Sequence, residues 1–486
     1  MNTYCNLSPR GYTIVKEKIS SSEIKQIKQD LTVQPFVNKD FSKPPPPFPI
    51  YGESQRKLYV PRFYGIEKYG QPYTSKINEP QEIKCSFSKT LRDIQQPIAD
   101  AFIESTEKSP YGGGGIISVP CGYGKTVLGL YLACKLGVKT LVVAHQDFLL
   151  DQWKERIDFF VDNANIGRIQ GKICKVVNKD IVLATLQSLS MKEFNESVFE
   201  GFGFVIYDEC HHLGAEVFSK ALLKTNFKYL LGLSATPKRA DGLSKVFEWY
   251  LGPMVYVIKK RVEEEVNVKI IKYNNESTDY SKEELNYMGK PMMPTMINNI
   301  CAFGPRTDLI INEIKENLEE GRKILLLSDR REHLKIIKEK IDSLNPGVWT
   351  CGFFLGGMKK KDREESEETN VILATFQMAS EGFDCKHPLH TLIMTSPKSS
   401  IEQAVGRILR QQASERIFTP RVIDIWDQFS LFKRQGDKRV AFYKKNKYSI
   451  DIYDKDNNFI DKIENKTKTK KKKQTISDFV DESDSE

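Results

Sequence analysis

The chain has 486 residues, 40% of them hydrophobic and 28% charged, with a formal net charge of +9. That length exceeds one ordinary core and predicts two or three domains. No run approaches the roughly 18 apolar residues of a membrane span, and nine cysteines without a Cys-x-x-Cys pair argue against a disulfide framework or a zinc site.

Residues 1–83 are irregular in pattern and predict a small N-terminal accessory module. Met1-Asn2-Thr3-Tyr4-Cys5 lacks the basic and apolar regions of a signal peptide, so an intracellular protein is expected. Pro44-Pro45-Pro46-Pro47 is a stiff extended segment. Leu58 to Gly65 reads as a short strand or a docking segment. From residue 84 the rhythm changes. Ile116 to Val119, Thr140 to Ala144, Asp180 to Thr185, Phe204 to Asp208 and Tyr229 to Ser234 are short apolar runs separated by helical stretches. That alternation predicts a buried parallel sheet, with ligands at the carboxyl ends of its strands. Residues 84–258 are therefore expected to form one α/β domain. Residues 259–300 are charged and irregular and predict an edge strand and a linker. The same rhythm returns over 301–455, in Lys323 to Ser328, Thr350 to Phe354, Asn370 to Thr375, Thr391 to Thr395 and Arg421 to Ile425. Residues 456–486 are polar, with lysines over 466–473 and acids over 481–486, and predict a disordered tail.

The chemistry starts at Val119-Pro120-Cys121-Gly122-Tyr123-Gly124-Lys125-Thr126, between a predicted strand and a predicted helix. Gly122 and Gly124 let backbone N–H groups face a phosphate, and the helix N-terminus adds positive potential. Lys125 would neutralise β and γ oxygens, and Thr126 would offer its hydroxyl to Mg²⁺. The strict pattern wants glycine where Val119 stands, so alone the loop could be an ordinary turn. Asp208 and Glu209 end the run Phe204 to Tyr207; Asp208 suits the metal and Glu209 water activation. The bland alternative is a surface acidic pair. Arg407 and Arg410, at i and i+3, predict one helix face reaching γ-phosphate charge from the second domain. The bland alternative there is two solvated arginines.

Taken in order over roughly residues 91–430, these motifs resemble superfamily 2 helicases and translocases. Leu91 to Gln95 resembles the adenine-recognising segment, which implies a nucleotide contact for Gln95. Asp208-Glu209-Cys210-His211 resembles the DExH box, and Ser234-Ala235-Thr236 the coupling motif. Thr375 to Asp384 resembles motif V, implying nucleotide contacts for Gly382 and Asp384. Gln403 to Arg410 resembles the Gln-x-x-Gly-Arg-x-x-Arg box, with Gln403 a coupling residue. Arg239-Ala240-Asp241-Gly242 resembles the XPB-like branch. Pro61-Arg62-Phe63-Tyr64-Gly65 and the compact size resemble the late-transcription DNA helicases of poxviruses and other large DNA viruses. The resemblance implies two tandem RecA-like domains with ATP and Mg²⁺ between them, and DNA or RNA along the opposite edge. It implies nucleic-acid contacts at His145, Thr185, Gln187, Ser328, Arg330 and Thr375, and a role with the transcription machinery or in repair. It also implies a virion, a cytoplasmic viral factory or the nucleus as the site of action. In the tail, Lys470 to Lys473 suits nuclear import or nucleic acid, and Ile476 with Phe479 resembles a sliding-clamp peptide. The rivals are an RNA helicase and, from another class, a non-catalytic nucleic-acid-binding scaffold.

Overall fold

Continuous apolar strands cannot face water on either side, so they pair in the middle of sheets that helices cover. The computed structural model describes residues 3–36, 45–120, 122–210, 216–235, 242–258, 264–380, 383, 385–411 and 413–463, and shows two such sheets. The first comprises β1 (Gly114–Ser118), β2 (Thr140–Ala144), β3 (Ile166–Gln170), β4 (Ile173–Lys175), β5 (Ile181–Thr185), β6 (Phe204–Tyr207), β7 (Tyr229–Ser234) and β8 (Met254–Val257). Their spatial order is β4-β3-β5-β2-β6-β7-β1-β8, parallel except for the β3–β4 hairpin. The second comprises β9 (Asn267–Tyr273), β10 (Ile324–Leu327), β11 (Cys351–Phe354), β12 (Val371–Ala374), β13 (Thr391–Met394), β14 (Arg421–Asp427), β15 (Ser449–Tyr453) and β16 (Phe459–Ile463). Its order is β11-β12-β10-β13-β14-β9-β15-β16, with only β16 antiparallel. These are tandem RecA-like α/β sheets, as expected.

Two expectations need correction. β9 is not an edge strand: it pairs with β14 on one side and β15 on the other. Its alternating buried and half-buried residues hid a central position that long-range pairing supplies. The polar segment after 455 is not wholly tail, because Phe459–Ile463 adds antiparallel to β15 through backbone bonds that need no apolar side chains. Pro44, and Lys466 to Lys473 with Ile476 and Phe479, lie outside the described residues.

The N-terminal region builds its own five-stranded sheet from Cys5–Ser8, Gly11–Val15, Gly52–Glu53, Lys57–Val60 and Thr74–Ser75. Leu58 to Gly65 is half strand and half helix. Lys57–Val60 ends at Pro61, which caps the helix Arg62–Tyr69. Buried Arg62 donates to the carbonyls of Tyr111, Gly112, Phe227 and Lys228 at 2.9–3.1 Å. Those carbonyls precede β1 and β7, so one side chain anchors this sheet to the first RecA-like sheet. Burial lowers the Arg62 pKa to about 10, so it stays charged at neutral pH. In the second sheet Arg306, fully buried on the helix Gly304–Glu319, grips Asp427 at the end of β14 with bonds of 2.7 and 2.9 Å. Tyr280 O–H donates to the same carboxylate at 2.8 Å.

Candidate nucleotide cleft and nucleic-acid edge

β1 stops at Ser118, and Val119 N–H donates to the Ser234 carbonyl at the end of β7 (3.1 Å). Val119 is buried, which explains why an apolar residue stands where the strict loop has glycine. Gly122 and Gly124 have φ of +91° and +76°, open to glycine but strained for other residues. A Cβ on Gly124 would lie 2.4 Å from Gln95 Nε2, whereas one on Gly122 meets open space. Gly124 caps α1 (Lys125–Leu136), whose first N–H groups open into the cleft.

Gln95, expected as the adenine-recognising residue, lies against the phosphate loop. Its amide donates to the Tyr123 carbonyl (2.9 Å), its carbonyl accepts from Arg92 N–H (3.0 Å), and it is buried. It braces the loop from below, helped by Arg92, which donates to the Gly122 carbonyl at 3.2 Å.

Asp208 follows β6, in the middle of the first sheet. Its N–H donates to the Val143 carbonyl at 2.9 Å, and the Trp153 indole N–H, on α2 (Asp147–Phe160), donates to its Oδ2 at 2.9 Å. Glu209 Oε1 pairs with Lys125 Nζ at 3.1 Å, and its Oε2 accepts from Ala235 N–H at 3.4 Å. Glu209 has φ of +47°, a left-handed backbone that costs about 1–2 kcal/mol at a residue with a side chain. Burial and the Glu209 charge push the Asp208 carboxyl up, against the pull of Trp153 and Lys125.

Gln403 lies on the short helix Glu402–Val405, half-buried. Of the arginines that follow, Arg407 sits on a 3₁₀ turn, Gly406–Leu409, and Arg410 closes that turn, rather than both lying on an α-helical face. Spacing of three eclipses in a 3₁₀ turn, so both still line one side of the cleft. Arg407 is buried, with Nε donating to the Ala379 carbonyl at 2.6 Å. With Pro120, Gly122, Gly124, Lys125, Thr126, Asp208 and Glu209 they enclose about 320 Å³ between the sheets. Gln152 and Arg156, four apart on α2, line it too; their shared face was legible from spacing, but nothing in the sequence aimed it here. Trp153 carried no sequence signal of its contact either. Cys121, His211, Thr236, Arg239, Ala240, Asp241, Gly382 and Asp384 lie outside the described residues.

The donor set fits a triphosphate with a divalent cation. One cleft gathers a glycine-permitted loop, a helix N-terminus, Lys125 and two arginines against adjacent carboxylates. A cation beside Asp208 would relieve the mutual repulsion of Asp208 and Glu209. Among the described residues no group of three or more His, Cys, Asp or Glu side chains could hold a metal. A Mg²⁺ shared between one carboxylate, a hydroxyl and substrate phosphates needs no such cage.

The six expected nucleic-acid residues divide. Gln187 is exposed, while His145, Arg330 and Thr375 are half-buried. Thr185 and Ser328 are buried. The Thr185 hydroxyl caps the helix Leu186–Met191 by accepting from Ser188 N–H at 3.3 Å. Ser328 Oγ accepts from Arg330 N–H at 3.2 Å and meets His333 Nδ1 at 3.2 Å. Their hydroxyls stabilise strand-end turns. Among the described residues no helix is long and apolar enough to cross a membrane.

Known proteins share this plan. The family model described as type III restriction enzyme, res subunit, matches residues 88–239. A protein of Acanthamoeba polyphaga mimivirus named as an ATP-dependent RNA helicase is 35% identical over 453 residues, 91% of this chain and 86% of that protein. One of African swine fever virus, named likewise, is 25% identical over 79% of each chain. A solved fragment of an HsdR subunit of a type I restriction enzyme from Vibrio vulnificus is similar in fold, with a TM-score of 0.53 at 17% identity, over 77% of this chain and 71% of that one. The tandem sheets, the cleft between them and a relative this similar along most of its length establish that the chain belongs to the superfamily 2 helicases, a family of nucleic-acid-dependent ATPases.

Proposed function

We propose that the chain is an ATP-driven motor that translocates on or unwinds DNA, acting in transcription or repair. The observation that carries this is the Lys125–Glu209 pair at 3.1 Å, facing Arg407 and Arg410 across one cleft. On this reading, incoming phosphates compete with Glu209 for Lys125. Lys125 turns to the β and γ oxygens, and Glu209 is released to orient a water and accept its proton. Asp208, steadied by Trp153, and the Thr126 hydroxyl hold the metal; when bound, Mg²⁺ neutralises phosphate charge. Pro120 to Thr126 cradle the chain of phosphates with backbone N–H groups. Arg407 and Arg410 meet charge that builds on the γ-phosphoryl group, which ties hydrolysis to closure of the cleft. Ser234 and Ala235 are suited to coupling, because one holds the phosphate loop and the other holds Glu209. Residues 84–258 and, with the strands Asn267–Tyr273 and Phe459–Ile463 included, 267–463 would be the two motor domains, and residues 1–83 an accessory module.

The DNA assignment and an XPB-like, DExH-type place within the superfamily rest on Asp208-Glu209-Cys210-His211 and Arg239-Ala240-Asp241-Gly242. The names of the mimivirus and African swine fever virus relatives favour RNA, which is the second reading. ATP turnover with duplex DNA, single-stranded DNA and RNA separates them. Stimulation by DNA is expected; stimulation by RNA alone sinks the DNA assignment, and none by any polymer leaves a scaffold. A clamp contact through Ile476 and Phe479 is a further proposal, tested by deleting the tail.

A further inference from the structure

Between β9 and α3 (Met293–Ala302) the chain makes a tight hairpin. Leu285 and Pro291 bridge antiparallel. Asn286 N–H donates to the Lys290 carbonyl (2.8 Å), and Gly289 N–H to the Asn286 carbonyl (2.9 Å). The Asn286 side-chain oxygen accepts from Met288 N–H and Lys290 N–H at 2.9 and 3.0 Å. Six residues thus carry a dense net of backbone bonds, and the turn is stiff. What it displays is apolar: Tyr287 is 95% exposed, Met288 58%, and Leu285 is exposed as well. A rigid turn that holds an aromatic ring in water gains no burial from it, so folding does not explain the ring.

Its position suggests what does. β9, β14, β13, β10 and β12 run parallel in register, so their carboxyl ends share one edge of the sheet. The hairpin lies beyond the carboxyl end of β9, after the short helix Thr278–Ser281, while Ser328 and Thr375 directly follow β10 and β12. Arg330 ties the two together, donating to the Pro294 carbonyl in the first turn of α3 at 3.0 Å and to the Asn298 side chain farther along it. Lys282 and Lys290 flank the tip, while Glu284 pairs with Lys282 at 3.0 Å and Glu283 accepts from the Ser430 hydroxyl at 2.5 Å.

We propose that this hairpin is a nucleobase platform: Tyr287 stacks on an unpaired base of a strand leaving the strand-end edge, with Met288 beside it and Lys290 at the backbone phosphate. An open ring face beside Lys290 suits any base, because every base has a π-face. A protein partner fits less well, since stable interfaces bury roughly 800 Å² per side and a convex tip of three side chains cannot supply that. The inference rests on the reading of the chain as a nucleic-acid motor.

The test uses the full chain, with Tyr287→Ala and Tyr287→Phe, and fluorescence anisotropy on single-stranded DNA and RNA at fixed salt. Tyr287→Ala should weaken single-strand binding roughly tenfold, and Tyr287→Phe should stay within about twofold of the parent. Thermal midpoints of both should match the parent, because the side chain buries nothing. A 5-iodouracil oligonucleotide should cross-link to the peptide containing Tyr287. Parent-like binding by Tyr287→Ala overturns the platform and leaves a protein contact for the tip. In that case polymer-stimulated ATP turnover still upholds the motor; absence of polymer binding and stimulation in the parent chain removes both.

Discussion

Glu209→Gln removes one charge and keeps the shape of the side chain. In the structure Glu209 Oε1 lies 3.1 Å from Lys125 Nζ, with the two side chains only 14% and 11% exposed. At an effective dielectric of about 20, unit charges at that spacing attract by about 5 kcal/mol before desolvation is subtracted. Taking both ions out of water offsets much of this, so the pair is worth a small fraction of that sum. The neutral amide still has an oxygen to accept from Ala235 N–H, so the left-handed backbone at φ +47° should persist. Lys125, with its competitor gone, should grip phosphates as well as before or better. Hydrolysis should fall by about 10²–10⁴-fold through loss of the base, equivalent to about 3–5 kcal/mol of barrier. Titration with a fluorescent ATP analogue reads the first effect, and single-turnover hydrolysis with saturating polymer the second. Turnover within about threefold of the parent chain would refute Glu209 as the base. Loss of ATP binding would refute the competition between Glu209 and phosphate for Lys125.

Gly124→Ala should weaken ATP binding more than Gly122→Ala, because its Cβ would sit 2.4 Å from Gln95 Nε2 at φ +76° and push aside the amide that holds the Tyr123 carbonyl; Gly122→Ala meets open space and should lose only about 1 kcal/mol of binding to backbone strain. The same nucleotide titration ranks them. Arg306→Met leaves Asp427 buried and unpaired, so the second domain should lose about 3–5 kcal/mol, read as an earlier urea transition. His333 is buried and neutral, its pKa lowered to about 3 by burial and then by Arg306. Its unfolded form takes up a proton below about 6.5, so stability present above that pH should drain away as pH falls toward 3, at up to about 1.4 kcal/mol per unit. His333→Leu should flatten that slope in acid denaturation; an unchanged slope would refute the assignment.

Much of this protein is written locally. Apolar runs such as Leu141-Val142-Val143 can only be buried parallel strands, and their polar ends mark the ligand edge. The phosphate loop, Asp208 with Glu209 and Arg407 with Arg410 were legible as candidates for one cleft because phosphate chemistry calls for particular side chains at strand and helix ends. Strands Ile166–Gln170 and Phe459–Ile463 were not legible, and Asn267–Tyr273 was so only as an edge, since half-polar segments take such places only when a neighbour offers backbone partners. Thr185 and Ser328 carry ligand-like hydroxyls; both are buried, Thr185 capping a helix and Ser328 accepting from Arg330 N–H in a turn. Gln95 suits a base, and only the fold showed that its amide also holds the Tyr123 carbonyl of the loop. Residue type and spacing therefore determined which chemistry the chain can perform. Only tertiary packing decided which of those groups reach the cleft, because exposure and charge pairing depend on residues hundreds of positions apart, as Lys125 and Arg407 are.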